Sequence, residues 1–562
     1  MARRGSQRKV GRMNRIPLAD CQVLVVGAGP TGLVLAADLL ARGIDVRIVD
    51  KGDGVALQAR AIGIHARTLE ALDTMGLAER FIERGQVVPQ LRFYSEGRCL
   101  ASLQFGRCGS RFGFVLDLPQ DQTERLLRAR VTELGGVVEN GTELISLSTG
   151  RDGVTAVVRD HGSQAQPITA GYVVGCDGAH SRVRRELGLT FHGHPYPQDW
   201  LLADVLLDWD PGEDAIHAFF RPDGLPVIFF PMCGHRWRVT LPFAGSRAAE
   251  APTLQEIQQL TDQRAPHPVT VSDPTWLANF RCHRRSASAY RRGRVLLAGD
   301  AVHIHTPAGG QGLNTGMLDA HNLAWKLALV ASGRAPDALL DTYSAERRPV
   351  AEQVLELTHA LIRYGTMSHP VKRATRNIVV PPLARAAIVQ RRAARRMSQV
   401  YVTYPPGPLV RRGRGTPRPG QRMPDIAVRA GGVDTTLHSV LRGGRHVLVV
   451  PAVHTAALRS DPGLRPYRRD LDIVTPALGG NRTGPVVLVR PDGHVAARGR
   501  PGRLQAVTGY MRDLFTEPVP GLRPVSRLNG YPGTPSAAGE GGPGEAVQWS
   551  AAPPQGRRVP AG

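Results

Sequence analysis

The chain lacks the cysteine and histidine patterns that are typical of disulfide-rich, dithiol and metal-binding proteins. Its 562 residues include six cysteines, but these form no C-x-x-C pair and no cysteine or histidine spacing is typical of a metal site. We therefore predict neither a disulfide framework nor dithiol chemistry nor a bound metal. Unpaired cysteines of this kind are typical of a reducing compartment, so we expect a cytoplasmic protein.

Acidic residues are too few to balance the charge. The chain has 71 basic against 48 acidic residues, a formal net charge of +23. Such an excess can indicate a nucleic-acid partner. Here the basic residues are spread along the chain, aromatic residues make up only 5%, and no basic stripe is interleaved with aromatic side chains. We therefore predict no nucleic-acid partner.

No unbroken apolar run is long enough to cross a bilayer. The segment Val23–Leu40 is largely apolar but contains three glycines, Pro30 and Asp38. The basic start Met1–Arg15 is not followed by a continuous apolar stretch with a cleavage site, so no secretory signal is predicted. We expect no membrane partner, and Met13 is an alternative start of the chain.

Three glycine-rich or acidic segments stand out, and the first resembles a dinucleotide fingerprint. The apolar run Gln22–Val26 predicts a buried parallel strand. Gly27, Gly29 and Gly32 then form G-x-G-x-x-G: the first allows a tight turn, the second lets the backbone approach a pyrophosphate, and the third lets the next helix pack closely. Asp50 follows the second predicted strand, where a ribose-binding carboxylate belongs.

The second and third segments point to the same ligand. They are G-C-D-G-A-H-S-R-V-R at Gly175–Arg184 and a longer run at Arg294–Gly316. In the longer run, Asp300 ends a predicted strand, Pro307–Gly312 is a predicted loop, and a long helix is predicted from Asn314 onward. A helix N-terminus at this position would stabilise negative charge on a reduced flavin. The three segments in this order predict a site for FAD.

On these segments the chain resembles the group A flavoprotein monooxygenases, the FAD-dependent aromatic hydroxylases. It is most similar to the branch with 3-(3-hydroxyphenyl)propionate hydroxylase and the polyketide hydroxylases, strongly over about 20–350 and weakly over about 400–515. The resemblance implies that the second segment lies beside FAD and the nicotinamide nucleotide, and that the third binds the ribityl chain and covers the isoalloxazine ring. The residues implied are Asp177, Gly178, Arg184, Gly299, Asp300, Pro307, Gly310, Gly312, Leu313 and Asn314.

Two further segments carry the resemblance. Leu57–Glu70 is similar to the loop and helix whose arginine touches the flavin, which places Arg60 there, although the usual serine before it is Ala59. In Leu118–Leu127, Gln120 matches a residue that contacts FAD, and the same stretch is also an ordinary helix start. His303 matches a family histidine, for which we predict a structural partner.

The resemblance also implies the reaction. NADPH or NADH reduces FAD, O2 adds at C4a of the flavin, and the C4a-hydroperoxyflavin delivers one oxygen to an aromatic or polyketide substrate. No separate fingerprint for the nicotinamide nucleotide is visible, which is typical of the family, where that nucleotide binds only transiently. We predict no catalytic side chain by number, and we expect a monomer or a homodimer.

We predict an α/β chain: a Rossmann-like FAD-binding domain with an inserted β-rich substrate domain and a C-terminal thioredoxin-like domain. The alternating segments Leu201–Leu207, Ala215–Phe220, Leu225–Phe230 and Arg236–Leu241 predict the sheet of the inserted domain. The predicted parts are a disordered basic arm (1–17), the FAD domain (18–90, 112–190 and 281–365), the substrate domain (91–111 and 191–280), a helical segment and linker (366–408), the thioredoxin-like domain (418–515) and a disordered tail (530–562).

Two C-terminal features need separate interpretation. The arginine-rich helix within 366–400 could lie on a membrane, but we favour a solvated helix packed on the flavin domain. The thioredoxin-like domain contains no cysteine, so we predict a structural role for it. Asp492 and Gly493 stand between two apolar runs and predict a hairpin there.

Three functions remain open at this point. The first is an aromatic or polyketide hydroxylase. The second is a flavin oxygenase that modifies an antibiotic or inserts oxygen in the Baeyer–Villiger manner. The third is a flavin-binding homologue without oxygenase activity.

Overall fold

A computed structural model describes residues 19–55, 61–209, 212–221, 226–243, 251–265, 268–304, 309–365, 369–477 and 484–515. Arg60 and Pro307 lie outside these ranges, as do the predicted arm 1–17 and tail 530–562.

The strands in chain order are β1 (Cys21–Val26), β2 (Val46–Val49), β3 (Gly63–Ile64), β4 (Gln86–Val88), β5 (Gln90–Ser95), β6 (Arg98–Gln104), β7 (Val115–Asp117), β8 (Val138–Glu139), β9 (Glu143–Thr149), β10 (Val154–Arg159), β11 (Gln166–Gly175), β12 (Phe191–Leu207), β13 (Ala215–Phe220), β14 (Val227–Met232), β15 (Arg236–Phe243), β16 (Val271–Ala287), β17 (Arg291–Arg292), β18 (Val295–Leu297), β19 (His303–Ile304), β20 (Ala427–Ala430), β21 (Val433–Thr436), β22 (His446–Val449), β23 (Leu471–Pro476), β24 (Val486–Val489) and β25 (Val495–Gly499).

The α-helices in chain order are α1 (Pro30–Ala41), α2 (Ala66–Thr74), α3 (Ala78–Ile82), α4 (Gln120–Glu133), α5 (Arg182–Glu186), α6 (Leu254–Arg264), α7 (Gln311–Ala331), α8 (Asp341–Gly365), α9 (Pro370–Arg385), α10 (Ala387–Met397), α11 (Leu437–Leu441), α12 (Thr455–Arg459) and α13 (Gln505–Leu514).

The first sheet has a parallel centre in the order β8-β2-β1-β11-β18, and β17, β10 and β9 pair antiparallel at its margins. The middle strand β1 is apolar except for Gln22, and its residues Val23, Leu24 and Val25 are fully buried, as expected of a central parallel strand. The chain adds strands on the β2 side of β1 first and on the β11 side later. Ligands of parallel α/β sheets bind at such a reversal, beyond the carboxyl ends of the strands.

The second sheet is the inserted one and runs in the order β19-β16-β12-β15-β14-β13-β5-β6. Its strands are antiparallel neighbours except for β13 and β5, which run parallel. Strands β12 to β15 confirm the strand predictions made from alternation. A small sheet, β3-β7-β4, contacts β14, and its residues Ile64, Val88, Val115 and Leu116 belong to the same buried cluster as β1.

The third sheet belongs to the C-terminal domain and runs in the order β21-β20-β23-β22-β24-β25. Strands β24 and β25 form the predicted hairpin, with Val489 opposite Val495 and the turn at Asp492 and Gly493. Apolar residues of this domain (Leu448, Val450, Leu488, Val507 and Tyr510) belong to the same buried cluster as β1 and α1. The C-terminal domain therefore shares a core with the first sheet.

Two local predictions differ from the structure. Gln311 and Gly312, predicted as loop, form the first turn of α7, because Gly310 with a φ of 63° reverses the chain directly before them. The arginine-rich segment does form helices, α9 and α10, and only α9 departs from the predicted packing on the flavin domain, because α10 buries Ala394 and Met397 in the same cluster as β1 and α1. Helix α9 lies against β6 at the edge of the second sheet, and α10 lies against the short 3-10 turn at Phe105–Cys108.

Candidate functional site

The three signature segments meet at one edge of the first sheet. Each begins where a parallel strand ends: β1 runs into Gly27, β11 runs into Asp177, and β18 is followed by Gly299. The segments are joined there by backbone hydrogen bonds, since the Cys176 amide donates to the Val26 carbonyl at 2.7 Å and the Ala298 amide to the Gly175 carbonyl at 3.0 Å.

The three glycines of the first segment have different surroundings. Gly27 has a φ of 104°, and a Cβ built on it would stand 2.5 Å from the carbonyl oxygen of Cys176. A Cβ on Gly32 would overlap the carbonyl oxygen of Gly27. Gly29 has extended backbone at φ −72°, and a Cβ built there meets no described atom within 4 Å. Gly27 and Gly32 are thus required by the fold, whereas Gly29 faces space in which a ligand can lie.

Two carboxylates hold the backbone around this space. Asp50 accepts hydrogen bonds from the amides of Ala28 and Gly52. Asp177 accepts with Oδ2 from the amide of Arg182 at 2.6 Å and from that of Val183 at 3.0 Å. The other oxygen of Asp177, Oδ1, is buried and has no hydrogen-bond partner in the described part of the chain. A buried polar atom of this kind needs a donor from outside the described contacts.

The third segment presents both a carboxylate and a helix start. Asp300 is exposed although the residues before it, from Val295 to Gly299, are buried. Helix α7 begins after Gly310, which supplies no side-chain cap, so backbone N–H groups of its first turn are available to an anion. Gly178, with a φ of 73°, likewise has no described atom within 4 Å of a built Cβ.

The start of α7 is fixed by a set of buried polar side chains. The Asn314 amide donates to the Gly63 carbonyl at 2.9 Å and accepts from the His65 amide at 2.8 Å. The His65 ring is 2.8 Å from the Gly309 carbonyl, and burial lowers the pKa of His65 to about 4, so the ring is neutral. Gln399, close to α10, donates to Gln311 at 2.6 Å. Sequence reasoning singled out Asn314 but not His65 or Gln399.

Arg184 lies between two of the segments. Its guanidinium donates to the Ala301 carbonyl at 2.8 Å and to the Ala179 carbonyl at 2.9 Å, and it stacks on the Phe191 ring at 3.8 Å. These contacts tie the second segment to the third. Gln120, by contrast, is half-buried at the start of α4 and donates to Glu124 at 2.9 Å.

Asp117 at the end of β7 is a further buried acid that sequence reasoning missed. Both its oxygens lack a hydrogen-bond partner in the described chain, and Oδ1 stands 3.4 Å from a Cβ built on Gly63. Burial raises the pKa of Asp117 to about 8, and the nearby charge of Arg238 opposes the rise. Arg238, on β15 of the second sheet, pairs with Asp204 of the neighbouring strand β12 and donates to the Ala61 carbonyl at 3.3 Å. This cluster lies between the second sheet and the chain that leads to Gly63.

One group of three possible metal ligands occurs among the described residues: Asp73, Asp425 and His438. Asp73 is already contacted by two guanidinium groups at 3.0 Å, those of Arg111 and Arg442. These charges neutralise the carboxylate, so the group fits an ion-pair cluster between α2 and α11 better than a cation site.

The residues at the sheet edge fit FAD. Gly29 leaves a cradle beside a helix start for a pyrophosphate, Asp300 presents a carboxylate toward solvent for hydroxyl groups, and Asp177 holds an orphaned acceptor. The start of α7 is suited to the negative charge of a reduced ring system.

Comparison with known proteins agrees with this geometry. A family model described as FAD binding domain matches residues 20–358, and one described as aromatic-ring hydroxylase, C-terminal, matches residues 416–518. The chain is 36% identical to 6-methylpretetramide 4-monooxygenase of Streptomyces rimosus, over 88% of this chain and 94% of that protein. It is 36% identical to rifampicin monooxygenase of Streptomyces venezuelae, over 85% and 95% of the two chains.

Solved structures show the same architecture. The anhydrotetracycline hydroxylase from Streptomyces rimosus superposes with a TM-score of 0.75 at 32% identity, covering 89% of this chain and all of that chain. A ternary complex of aklavinone-11 hydroxylase with FAD and aklavinone superposes with a TM-score of 0.71 at 25% identity, covering 89% and 99%. Among the described residues, no helix is both long and apolar enough to cross a membrane.

Proposed function

The chain belongs to the family of FAD-dependent aromatic-ring hydroxylases, and we propose that it hydroxylates a polycyclic aromatic polyketide in the making of an antibiotic. The protein is an FAD-dependent monooxygenase with the α/β architecture of that family. The observation that carries the proposal is the open cradle at Gly29 together with the uncapped start of α7, set opposite a second sheet. The substrate class is inferred from relatives that act on pretetramides, tetracyclines and aklavinone, as their names state.

Each residue at the sheet edge has a separate role in binding FAD. Gly29 lets the pyrophosphate approach the backbone of α1, Asp50 keeps that loop in shape, and Asp300 accepts hydrogen bonds from hydroxyl groups of the cofactor. Asp177 offers Oδ1 to a donor at the second segment. Asn314 fixes the first turn of α7, so its N–H groups stand ready for charge that develops on the ring.

Bound FAD supplies the redox chemistry by accepting a hydride from NADPH or NADH and activating O2. The protein's own contribution is to exclude water and to orient the substrate. The second sheet and the small β3-β7-β4 sheet provide the cover, and Asp117 and Arg238 are the polar groups under it that can receive substrate hydroxyl or carbonyl groups. The expected setting of this chemistry is the cytoplasm, with a monomer or homodimer as the working form.

The proposal is tested by substrate-dependent turnover. The purified FAD-loaded protein is mixed with NADPH or NADH and a panel of polycyclic phenols, and nucleotide oxidation, hydrogen peroxide and product mass are followed. A substrate should accelerate nucleotide oxidation, lower the peroxide yield and emerge with one added oxygen atom. The product structure separates ring hydroxylation from insertion of oxygen into a ring. Slow oxidation that yields only peroxide with every compound would favour a flavin-binding homologue without oxygenase activity.

The arginines of the signature segments provide a second test. We expect Arg60→Ala and Arg184→Ala to slow flavin reduction more than they weaken FAD binding, because the family resemblance places Arg60 at the flavin and Arg184 ties together two segments beside it. Anaerobic stopped-flow reduction by NADPH measures the rate, and flavin fluorescence measures the binding. Unchanged reduction in both variants would assign these arginines to the scaffold.

A further inference from the structure

The exposed aliphatic side chains of the described chain are concentrated on α9 and the start of α10. Ten large apolar residues are strongly exposed in the described part, and six of them fall within 371–389. They are Val371 (67% exposed), Ile378 (74%), Val379 (45%), Leu383 (54%), Ile388 (60%) and Val389 (38%). The other four are scattered over three parts of the molecule, so this cluster is not the ordinary background of surface apolar residues.

Helix α9 contacts the rest of the protein through polar groups instead, whereas α10 also buries Ala394 and Met397 in the core. Arg373 pairs with Glu96 at 3.0 Å, and Arg376 donates to the Ser95 hydroxyl at 3.0 Å. Gln390 donates to the Ser102 carbonyl at 2.7 Å. A surface helix normally buries its aliphatic stripe and exposes its polar one. On α9 the polar side faces β5 and β6 while aliphatic side chains face outward, and Ile388 and Val389 at the start of α10 are exposed as well. These side chains form an apolar surface without a partner in the described chain.

Cations surround this surface, and the acid that contacts it, Glu96 of the turn between β5 and β6, is already paired with Arg373. Residues 366–400 contain eight basic residues and neither Asp nor Glu. Six of the basic side chains are exposed: Lys372, Arg385, Arg391, Arg392, Arg395 and Arg396. We call the aliphatic residues of 371–389 together with these cations the basic apolar face. Its charge requires a partner that is anionic, and its protruding aliphatic side chains require one with an apolar layer beneath that charge.

A second copy of this chain meets these requirements poorly. A two-fold contact would set the face against itself, since such interfaces use the same patch on both subunits. It would then bring two sets of exposed cations together without acids between them. A lipid surface with anionic head groups supplies both properties: arginines stay at the phosphates while aliphatic side chains enter the acyl boundary.

We propose that the basic apolar face docks the protein on the surface of an anionic bilayer, lying on it without crossing it. This departs from the expectation of no membrane partner that the sequence supported. The inference is independent of the proposed function, because it uses neither the flavin site nor a substrate. It rests instead on the outward aliphatic side chains of α9 and the exposed cations beside them.

The test uses the full-length, FAD-loaded protein and sedimentation with vesicles. One set of vesicles is phosphatidylcholine alone, and the other is an equal mixture of phosphatidylcholine and phosphatidylglycerol. We expect binding to the mixed vesicles at low salt, little binding to the neutral ones, and release as salt shortens the range of the charge attraction. Absence of binding to the mixed vesicles at low salt overturns the proposal.

Two triple variants separate the two properties of the face. Ile378→Ser with Leu383→Ser and Ile388→Ser removes aliphatic side chains, and Arg385→Gln with Arg391→Gln and Arg392→Gln removes charge. Each should lower vesicle binding at least about tenfold, because the serine variant loses apolar burial at the acyl boundary and the glutamine variant loses attraction to the anionic head groups. Flavin absorbance and melting temperature should stay unchanged, because these side chains point away from the protein.

A matched control carries the same kinds of change elsewhere on the surface. Val137→Ser with Val453→Ser and Arg151→Gln with Arg459→Gln alter exposed residues outside the face and should leave vesicle binding intact. If the control lowers binding as much as the triple variants do, binding reflects net charge and the proposal fails. It also fails if light scattering shows a dimer that the Ser variant dissociates, which would assign the face to a second copy.

Discussion

The first turn of α7 and the middle of the same helix lie in opposite surroundings. At the first turn, Gly310 offers no side-chain cap, and Gly29 nearby leaves a space that no described atom fills. In the middle, Lys326 is fully buried and donates to Glu346 at 2.7 Å, and Asp319 pairs with Arg347 at 2.7 Å. The first turn of α7 leaves backbone polar groups available to a ligand, whereas the charged side chains in the middle of the helix are paired inside the protein.

The C-terminal domain helps to satisfy the buried charges around the middle of α7. Arg490, at the end of β24, reaches both Glu346 and Asp492, with Glu346 Oε2 at 2.9 Å. Burial alone would raise the pKa of Glu346, but the charges of Arg490 and Lys326 lower it to about 2. The cofactor edge is therefore built for binding, and the junction with the C-terminal domain is built for stability. The structural role predicted for a domain without cysteines stays a prediction, which deletion of the domain tests.

The largest effect should come from removing that junction. Deletion of everything after Pro408 takes away Arg490 and the part of the shared core that the C-terminal domain supplies. We expect lower solubility and a lower melting temperature, while any soluble remainder still binds FAD. Circular dichroism and flavin stoichiometry measure the two. A truncated protein that stays folded yet loses FAD would show instead that the domain helps to build the cofactor site.

A single substitution at the junction should have the next largest effect. Arg490→Ala leaves Glu346 and Asp492 buried without their guanidinium partner, which should cost about 3–5 kcal/mol of unfolding free energy. Urea unfolding of the FAD-loaded protein measures it. The control is Arg429→Ala, which breaks an exposed pair with Asp434 in the same domain and should leave the free energy of unfolding almost unchanged.

The junction also has a pH signature. The folded pKa of Glu346 lies below its ordinary value, so its contribution is complete above that ordinary value and is lost as the pH falls toward about 2. Arg490→Ala should flatten this acid limb of the stability curve. An Arg490→Ala protein as stable as the parent at neutral pH would remove the contrast between the first turn and the middle of α7.

At the cofactor edge the expected effect is on binding and not on folding. Gly29→Val places a branched side chain in the open cradle, so the protein should fold but purify without FAD. Gly32→Val should fail to fold, because its Cβ overlaps the Gly27 carbonyl. Asp300→Ala removes a charge-assisted acceptor worth roughly 1.5–3 kcal/mol of FAD binding. Absorbance of the purified proteins and circular dichroism distinguish the cases, and stoichiometric FAD in Gly29→Val would disprove the assignment of the first segment.

The smallest effect concerns Asp117, whose pKa burial raises to about 8. Because the folded pKa exceeds the ordinary value, the carboxyl stabilises the folded state less as the pH rises from about 4 toward 8. Asp117→Asn should therefore gain stability relative to the parent over this range, by at least about 1 kcal/mol at pH 8. Urea unfolding of both proteins at pH 5 and pH 8 measures the difference, and an equal difference at both pH values would place the carboxyl in contact with a fixed partner.

Features with local causes could be predicted from the sequence. The turn at Gly27, the strand and helix on either side of it, and the hairpin at Asp492 and Gly493 depend on backbone freedom and on short apolar runs, both visible within a few residues. The carboxylates Asp50 and Asp300 could be placed for the same reason, since each stands near the end of a recognisable strand.

Features that depend on contacts between distant segments could not be predicted from the sequence. Arg490 and Glu346 are 144 residues apart, and Asp117 becomes a buried acid only because β7 packs against β14 in the core. The outward aliphatic side chains of α9 follow from which side of that helix meets β6. The sequence by itself determined the cofactor and the order of the elements that hold it, because glycine and strand patterns act locally. Tertiary structure alone decided which charges are buried together and which apolar side chains are left at the surface, because both depend on how completed elements pack.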